Sequence, residues 1–278
     1  MPGAVPGRVI VWLMSGYLQH NAPLRLACKG VAKHIVPNNE YDPFAKIYNK
    51  YWGADYRAEA FPIVRKLLLS RLPVGAAVLD VCCGTGQFTE EVRQQGFDMA
   101  GIDASGGMIS CARINAPGAE LTEADVRGFS LGRKFDGAYS VFESLNHIPD
   151  VAGLVVAFRC VRRHLKRGAP FLFDLNREDA FRMYWNTTDA LVEDDSVMVL
   201  RMDYNDETRV GECRMTAFEK ARGWVRKDFT IRQTCHEHGA VEEALRTAKF
   251  KDVTLYDARD AGMRGDAGYA RTFFLAGA

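Results

Sequence analysis

One stretch constrains this chain more than any other: Val78-Leu79-Asp80-Val81-Cys82-Cys83-Gly84-Thr85-Gly86. An apolar run ends in an acid, breaks into glycines and leads into a helical pattern. A strand–turn–helix of this kind turns backbone N–H groups toward a polar or anionic ligand, and glycine lets the ligand approach closely. Alone, the turn says nucleotide-like ligand. The strands that follow decide which one.

Upstream, the aromatic-rich YDPFAKIYNKYW of residues 41–52 precedes Phe61, Val64, Leu68 and Leu72 at helical spacing, stopped before Pro73. The strand Ala77–Val81 follows, then a helix running to Gly96. A second strand over 97–103 ends in Asp103, and Ser105 is placed to cap a helix stopped by Pro117. Residues 120–125 read as a third strand and 135–142 as a fourth. Asp150 caps a helix with Val151, Leu154, Val155, Phe158, Val161 and Leu165 on one face, and residues 170–174 make a fifth strand. Such alternation predicts an α/β sandwich, a mostly parallel sheet covered by helices on both faces, with ligand contacts at the carboxyl ends of the strands. Residues 178–235 break the pattern. Runs over 197–204, 210–219 and 224–233, separated by turn signals, predict an antiparallel β insertion after the fifth strand, either a lid over the pocket or a surface pairing across a two-fold axis in a homodimer. A helix over 240–248 and strands over 251–257 and 271–276 complete a seven-stranded sheet.

Net charge is +1, with both signs spread along 278 residues, which gives no footprint for nucleic acid or an anionic membrane and favours a small-molecule partner. Seven cysteines, at 28, 82, 83, 111, 160, 213 and 235, are odd in number and lack CxxC spacing, as expected of reduced thiols in a cytoplasmic protein. Cys235-His236-Glu237-His238 lacks the further ligands of a metal site and reads as a polar helix start, so no metal is expected. In the first 38 residues the apolar run from Val9 to Met14 is too short to span a bilayer. Pro23 and Arg25 interrupt a lipoprotein-like approach to Cys28, so this part reads as a poorly ordered extension of a domain over 39–277.

Two ligand readings compete at the glycine turn. A dinucleotide fold wants GxGxxG, and Gly84-Thr85-Gly86-Gln87-Phe88-Thr89 lacks the third glycine. S-adenosylmethionine fits better. Asp80 opens the loop, and Gly84 and Gly86 let the backbone pass the methionine part. Asp103 is placed for the ribose hydroxyls, Asp125 for the adenine amine and the Val126 N–H for the ring. With DVCCGTG, GIDAS-GGMISCAR, EADVRGF and FDGAYSVFESLNHI, residues 40–277 resemble the class I S-adenosylmethionine-dependent methyltransferases. The resemblance implies a Rossmann-like three-layer fold and adds Ala104, Met108, Phe142 and Glu143 to the cofactor contacts. Residues 41–49, 54–60 and 131–135 and the late insertion are similar to the N,N-dimethyltransferases of deoxyaminosugars. In such enzymes the N-terminal segment closes over the cofactor, which implies Tyr41, Tyr48 and Trp52 near the reacting centre. Cys82 departs from the usual glycine, yet the resemblance keeps it among the cofactor-binding residues of the turn; like Cys83 it reads as a small packing residue with no redox role.

Methyl transfer is a displacement in which the protein aligns nucleophile, methyl and sulfur. His147 is the best-placed base or positioning group, with Tyr41 and Tyr48 beside it; Glu143 either meets the cofactor amino group or caps its turn. Asn176 and Arg177 could line the substrate side, and Arg201, Arg214 and Arg232 could hold an acidic substrate group. The expected activity is methyl transfer to a small-molecule acceptor, at an amine nitrogen; the alternatives are O- or C-methylation, or a non-catalytic adenosyl-binding protein.

Overall fold

The computed structural model describes residues 41–53 and 55–278, so the extension expected over 1–38 lies outside the described residues. Helices α1 (Ala45–Tyr51) and α2 (Asp55–Leu67) lead into an alternation of β1 (Ala77–Val81), α3 (Gln87–Gln94), β2 (Asp98–Asp103), α4 (Gly106–Asn115) and β3 (Glu120–Glu123). It continues with β4 (Gly137–Ser140), α5 (Val151–His164), β5 (Pro170–Asn176) and α6 (Glu178–Tyr184). A meander of β6 (Thr187–Val192), β7 (Ser196–Asn205), β8 (Val210–Lys220) and β9 (Trp224–Thr234) follows, then α7 (His238–Thr247), β10 (Lys251–Asp257) and β11 (Arg271–Gly277). The caps sit where expected: the Ser105 hydroxyl accepts from Met108 N at 3.1 Å and Asp150 from Gly153 N at 2.7 Å.

The main sheet runs β10-β11-β5-β4-β1-β2-β3, with β11 antiparallel to both neighbours and β1 to β5 parallel. Side chains alternate across it, and both faces are buried. Leu79 and Val81 join the cluster with α5 and α7, while Val78 joins the one with α2 and α3. The meander forms a separate four-stranded sheet, β6-β7-β8-β9. Its inner face, including Leu200, Met215 and Phe229, packs on Phe44 and Ile47, so the N-terminal segment is held between lid and core.

Four details differ from the sequence expectation. Strand β3 stops at Glu123, short of Asp125. Strand β4 is shorter than 135–142, because Phe142 and Glu143 adopt φ of +64° and +41°, which ends extended pairing. Val151 is exposed, so the buried face of α5 begins at Leu154. The short elements α6 and β6 were not foreseen.

Gly86 has φ +82°, and a Cβ there would lie 2.9 Å from Cα and Cβ of Ala112 on α4. Its hydrogen is what lets α4 close on the turn. Gly86→Ala should therefore cost about 2–4 kcal/mol from left-handed strain plus overpacking, read by denaturant unfolding.

Candidate active site

A cavity of about 530 Å³ opens at the carboxyl ends of β1, β2 and β4, under the lid. Of the residues anticipated from sequence, Tyr41, Tyr48, Trp52, Asp80, Cys82, Gly84, Asp103, Ala104, Met108, Phe142, Glu143 and His147 all line it. Three of them, Cys82 (φ +62°), Phe142 and Glu143, are non-glycine residues in the left-handed region. Such strain gathers where a backbone is held for function. It also explains why glycine is the usual residue at Cys82. The Cys82 thiol is pushed up well above its ordinary value by burial and by Asp103, Asp80 and Asp125, so it stays protonated and acts as a packing group.

Asp103 is oriented by two backbone donors. Gly84 N–H reaches Oδ2 at 2.9 Å and Ser105 N–H reaches Oδ1 at 2.9 Å, which leaves each oxygen a further lone pair for a vicinal diol. Burial raises its carboxyl to about 6 against those two hydrogen bonds, with Asp42 adding to the rise. Asp80 accepts from Thr89 Oγ1 at 2.6 Å and Tyr139 OH at 2.8 Å, and burial raises it to about 7. A Cβ on Gly84 would meet only Tyr48 Cε1, at 3.9 Å, so no protein atom crowds the turn on that side.

The N-terminal segment is pinned to this floor. Asp42 Oδ1 accepts from Ser105 Oγ at 2.6 Å and Gly107 N at 3.0 Å, completing the amino end of α4. Asn49 Oδ1 accepts from Gln87 Nε2 and Asn115 Nδ2, both at 2.6 Å, tying α1 to α3 and α4. Phe44, Tyr48, Trp52 and Phe142 thereby form an aromatic wall, with Tyr48 to Phe142 ring centroids 5.9 Å apart.

His147 donates from Nδ1 to the Arg232 carbonyl at 2.8 Å, which fixes the tautomer and leaves Nε2 as an acceptor. Nε2 takes the Tyr41 hydroxyl at 2.8 Å and lies 3.2 Å from Gln233 Nε2. Burial lowers the imidazole to about 4, so it is neutral at physiological pH. Behind Glu143, Arg271 is buried between two carboxylates, Glu143 Oε2 at 2.5 Å and Asp174, while Tyr56 OH donates to Asp174 Oδ2 at 3.0 Å.

The floor fits S-adenosylmethionine on its chemistry. Carboxylates and aromatic faces suit a sulfonium and a ribose diol, and disfavour a pyrophosphate. A family model described as methyltransferase domain matches residues 78–168. Over 230 residues the chain is 32% identical to the dTDP-3-amino-3,4,6-trideoxy-alpha-D-glucopyranose N,N-dimethyltransferase of Streptomyces venezuelae, spanning 78% of this chain and 94% of that relative. The chain belongs to the S-adenosylmethionine-dependent methyltransferases, alongside the deoxyaminosugar N,N-dimethyltransferases. This methyltransferase is also 30% identical over 154 residues to a ubiquinone biosynthesis O-methyltransferase of Xanthomonas axonopodis, covering 51% of this chain and 63% of that one. Its fold matches the crystal structure of Streptomyces venezuelae DesVI with a TM-score of 0.68 at 26% identity, over 84% of this chain and 97% of the other.

Several anticipated residues stand elsewhere. Asp125 is exposed and bound by its neighbour, accepting from Arg127 N at 2.8 Å and Arg127 Nη2 at 2.6 Å. Neither it nor the buried Val126 lines the cavity, and Gly86 serves helix packing. Arg177 pairs with Asp257, and Asn176 is buried against Asn146. Arg201 reaches Thr216, Arg214 pairs with Asp203, and Arg232 with Glu212, all away from the cavity. Cys235 to His238 diverge: Arg209 reaches the Cys235 sulfur, His236 Nε2 is 2.9 Å from the Ile148 carbonyl, and His238 opens α7. The six described cysteines are free, and no described helix is long and apolar enough to cross a membrane.

Sequence reasoning missed Asp42, Tyr56 and Arg271, and the lid residues Asp189, Met202, Met215 and Gln233 that roof the cavity. A single arginine opening the mostly apolar β11 was the available signal for Arg271.

Proposed function

We propose that this methyltransferase methylates the nitrogen of a small-molecule amine, in a cytoplasmic setting consistent with its free thiols. When bound, S-adenosylmethionine supplies a methyl made electrophilic by its sulfonium charge. Asp103 would accept from the ribose hydroxyls, with Ala104 and Met108 on the adenine side in place of the Arg127-bound Asp125. Arg57, which lines the cavity, would face the methionine carboxylate.

The observation that carries the amine reading is the state of His147. A hydroxyl nucleophile needs a base, and an imidazole lowered to about 4 is a poor one. A neutral amine needs none. It needs its N–H accepted and its lone pair aimed, which the Tyr41 hydroxyl oxygen would do with its own proton directed to the neutral His147 Nε2. As methyl moves, positive charge passes to nitrogen, next to Glu143 and the aromatic wall. The surplus proton then leaves to solvent.

The test is S-adenosylhomocysteine release with matched pairs of amines and their hydroxyl isosteres. Amines are expected to turn over and the hydroxyl isosteres to stay near background; equal rates contradict the reading. His147→Asn should lower kcat about 10- to 100-fold by misaligning the amine. Its acid limb in kcat/KM should stay where the wild type has it, because that limb belongs to the amine; a limb that moves would make His147 the base.

A further inference from the structure

The inner face of the lid is apolar at Leu191, Leu200, Met202 and Met215, yet carries one carboxylate, Asp189 on β6, in the cross-strand row of Leu200 and Met215. Asp189 is half-buried and lines the cavity. Among the described residues its carboxylate has no hydrogen-bond or ion-pair partner. A charge facing apolar side chains is costly unless something compensates it. The Cys213 thiol, also lining the cavity, is pushed up to about 12 by burial and then by its neighbour Asp189.

The other titratable groups of the cavity are mostly acids. Asp80, Asp103 and Glu143 line the floor, and the only lining cation among the described residues is Arg57, already paired with Glu91 at 3.0 Å. The lid arginines Arg201, Arg214 and Arg232 do not line the cavity. With Arg57 assigned to the methionine carboxylate, no further described lining cation is left for a pyrophosphate, whereas a second ammonium would meet the Asp189 carboxylate. A charge-assisted hydrogen bond from an ammonium to a carboxylate is stronger than one from a neutral hydroxyl.

Resting on the amine reading above, we propose that Asp189 is a specificity-determining residue that anchors a second, cationic amino group, so that the acceptor is a phosphate-free diamine such as a free diamino sugar. Trp185, lining the same side of the cavity, offers that cation an aromatic face.

The test uses the full chain saturated with S-adenosylhomocysteine and reads acceptor binding by calorimetry, so that it does not depend on turnover. The probes are a free diamino sugar, its monoamino counterpart, and a dTDP-linked monoamino sugar. The diamine is expected to bind at least about tenfold more tightly than either, the effect of one charge-assisted contact. Asp189→Asn should erase that preference and leave S-adenosylhomocysteine affinity unchanged. Tighter binding of the dTDP-linked sugar, or an Asp189→Asn variant that keeps the diamine preference, overturns the proposal. Diamine binding that depends on Asp189 with no methyl transfer to any amine would instead overturn the amine-methylation reading and leave the Asp189 anchor standing.

Discussion

Alanine at Asp103 should weaken S-adenosylhomocysteine binding by about 1.5–3 kcal/mol, or one to two orders of magnitude, since it removes a charged acceptor whose two oxygens are aimed by Gly84 and Ser105. The same carboxyl sets a pH dependence. Burial raises it to about 6, and only its ionised form accepts from both ribose hydroxyls. Affinity should hold above that value and fall about tenfold for each pH unit below it, one proton being displaced on binding. In Asp103→Ala that slope should flatten. Calorimetry across the acid range reads both effects. A variant with wild-type affinity and an unchanged slope would remove Asp103 from the ribose site.

The second large effect concerns the cluster behind Glu143. Arg271→Met leaves Glu143 and Asp174 buried together without their cation, which should cost about 3–5 kcal/mol, and for a chain of this size lower Tm by roughly 10 °C. The sign with pH is definite. Burial already raises Glu143 and Arg271 holds it down, so without Arg271 its carboxyl rises further; stability is kept at low pH, where Glu143 is neutral, and lost as pH rises through its folded value. The deficit against wild type should therefore shrink on acidification. A thermal melt that is insensitive to Arg271→Met at neutral pH would show that the two acids do not depend on it.

These two sites differ in how far the chain announces them. Asp103 was legible because it ends an apolar strand after a glycine turn, and the regular α/β spacing carries such residues to one sheet edge. Ser105 and Asp150 were legible for the same reason: an N-cap is a local rule. The Arg271–Asp174–Glu143 cluster joins residues nearly a hundred positions apart through the antiparallel β11, and no local pattern encodes that pairing. Asp125 stands outside the residues that line the cavity. Its strand ends early, at Glu123, and Arg127 two residues on captures its carboxylate. The lid strands β7 to β9 were visible in their alternation and turn signals. Which face would roof the cavity depends on register, set by pairings such as Leu200 with Met215, and that emerged only with the fold. Strand β6, six residues long and carrying Asp189, was missed altogether.

The most direct test of methyl transfer at nitrogen follows the methyl itself. With S-adenosylmethionine labelled at the methyl carbon and a free amino sugar as acceptor, the transferred label is read by NMR. The label is expected to appear as N-methyl, with S-adenosylhomocysteine formed in equal amount. Label on an oxygen or a carbon, or acceptor returned unlabelled while S-adenosylhomocysteine binds tightly, would contradict it.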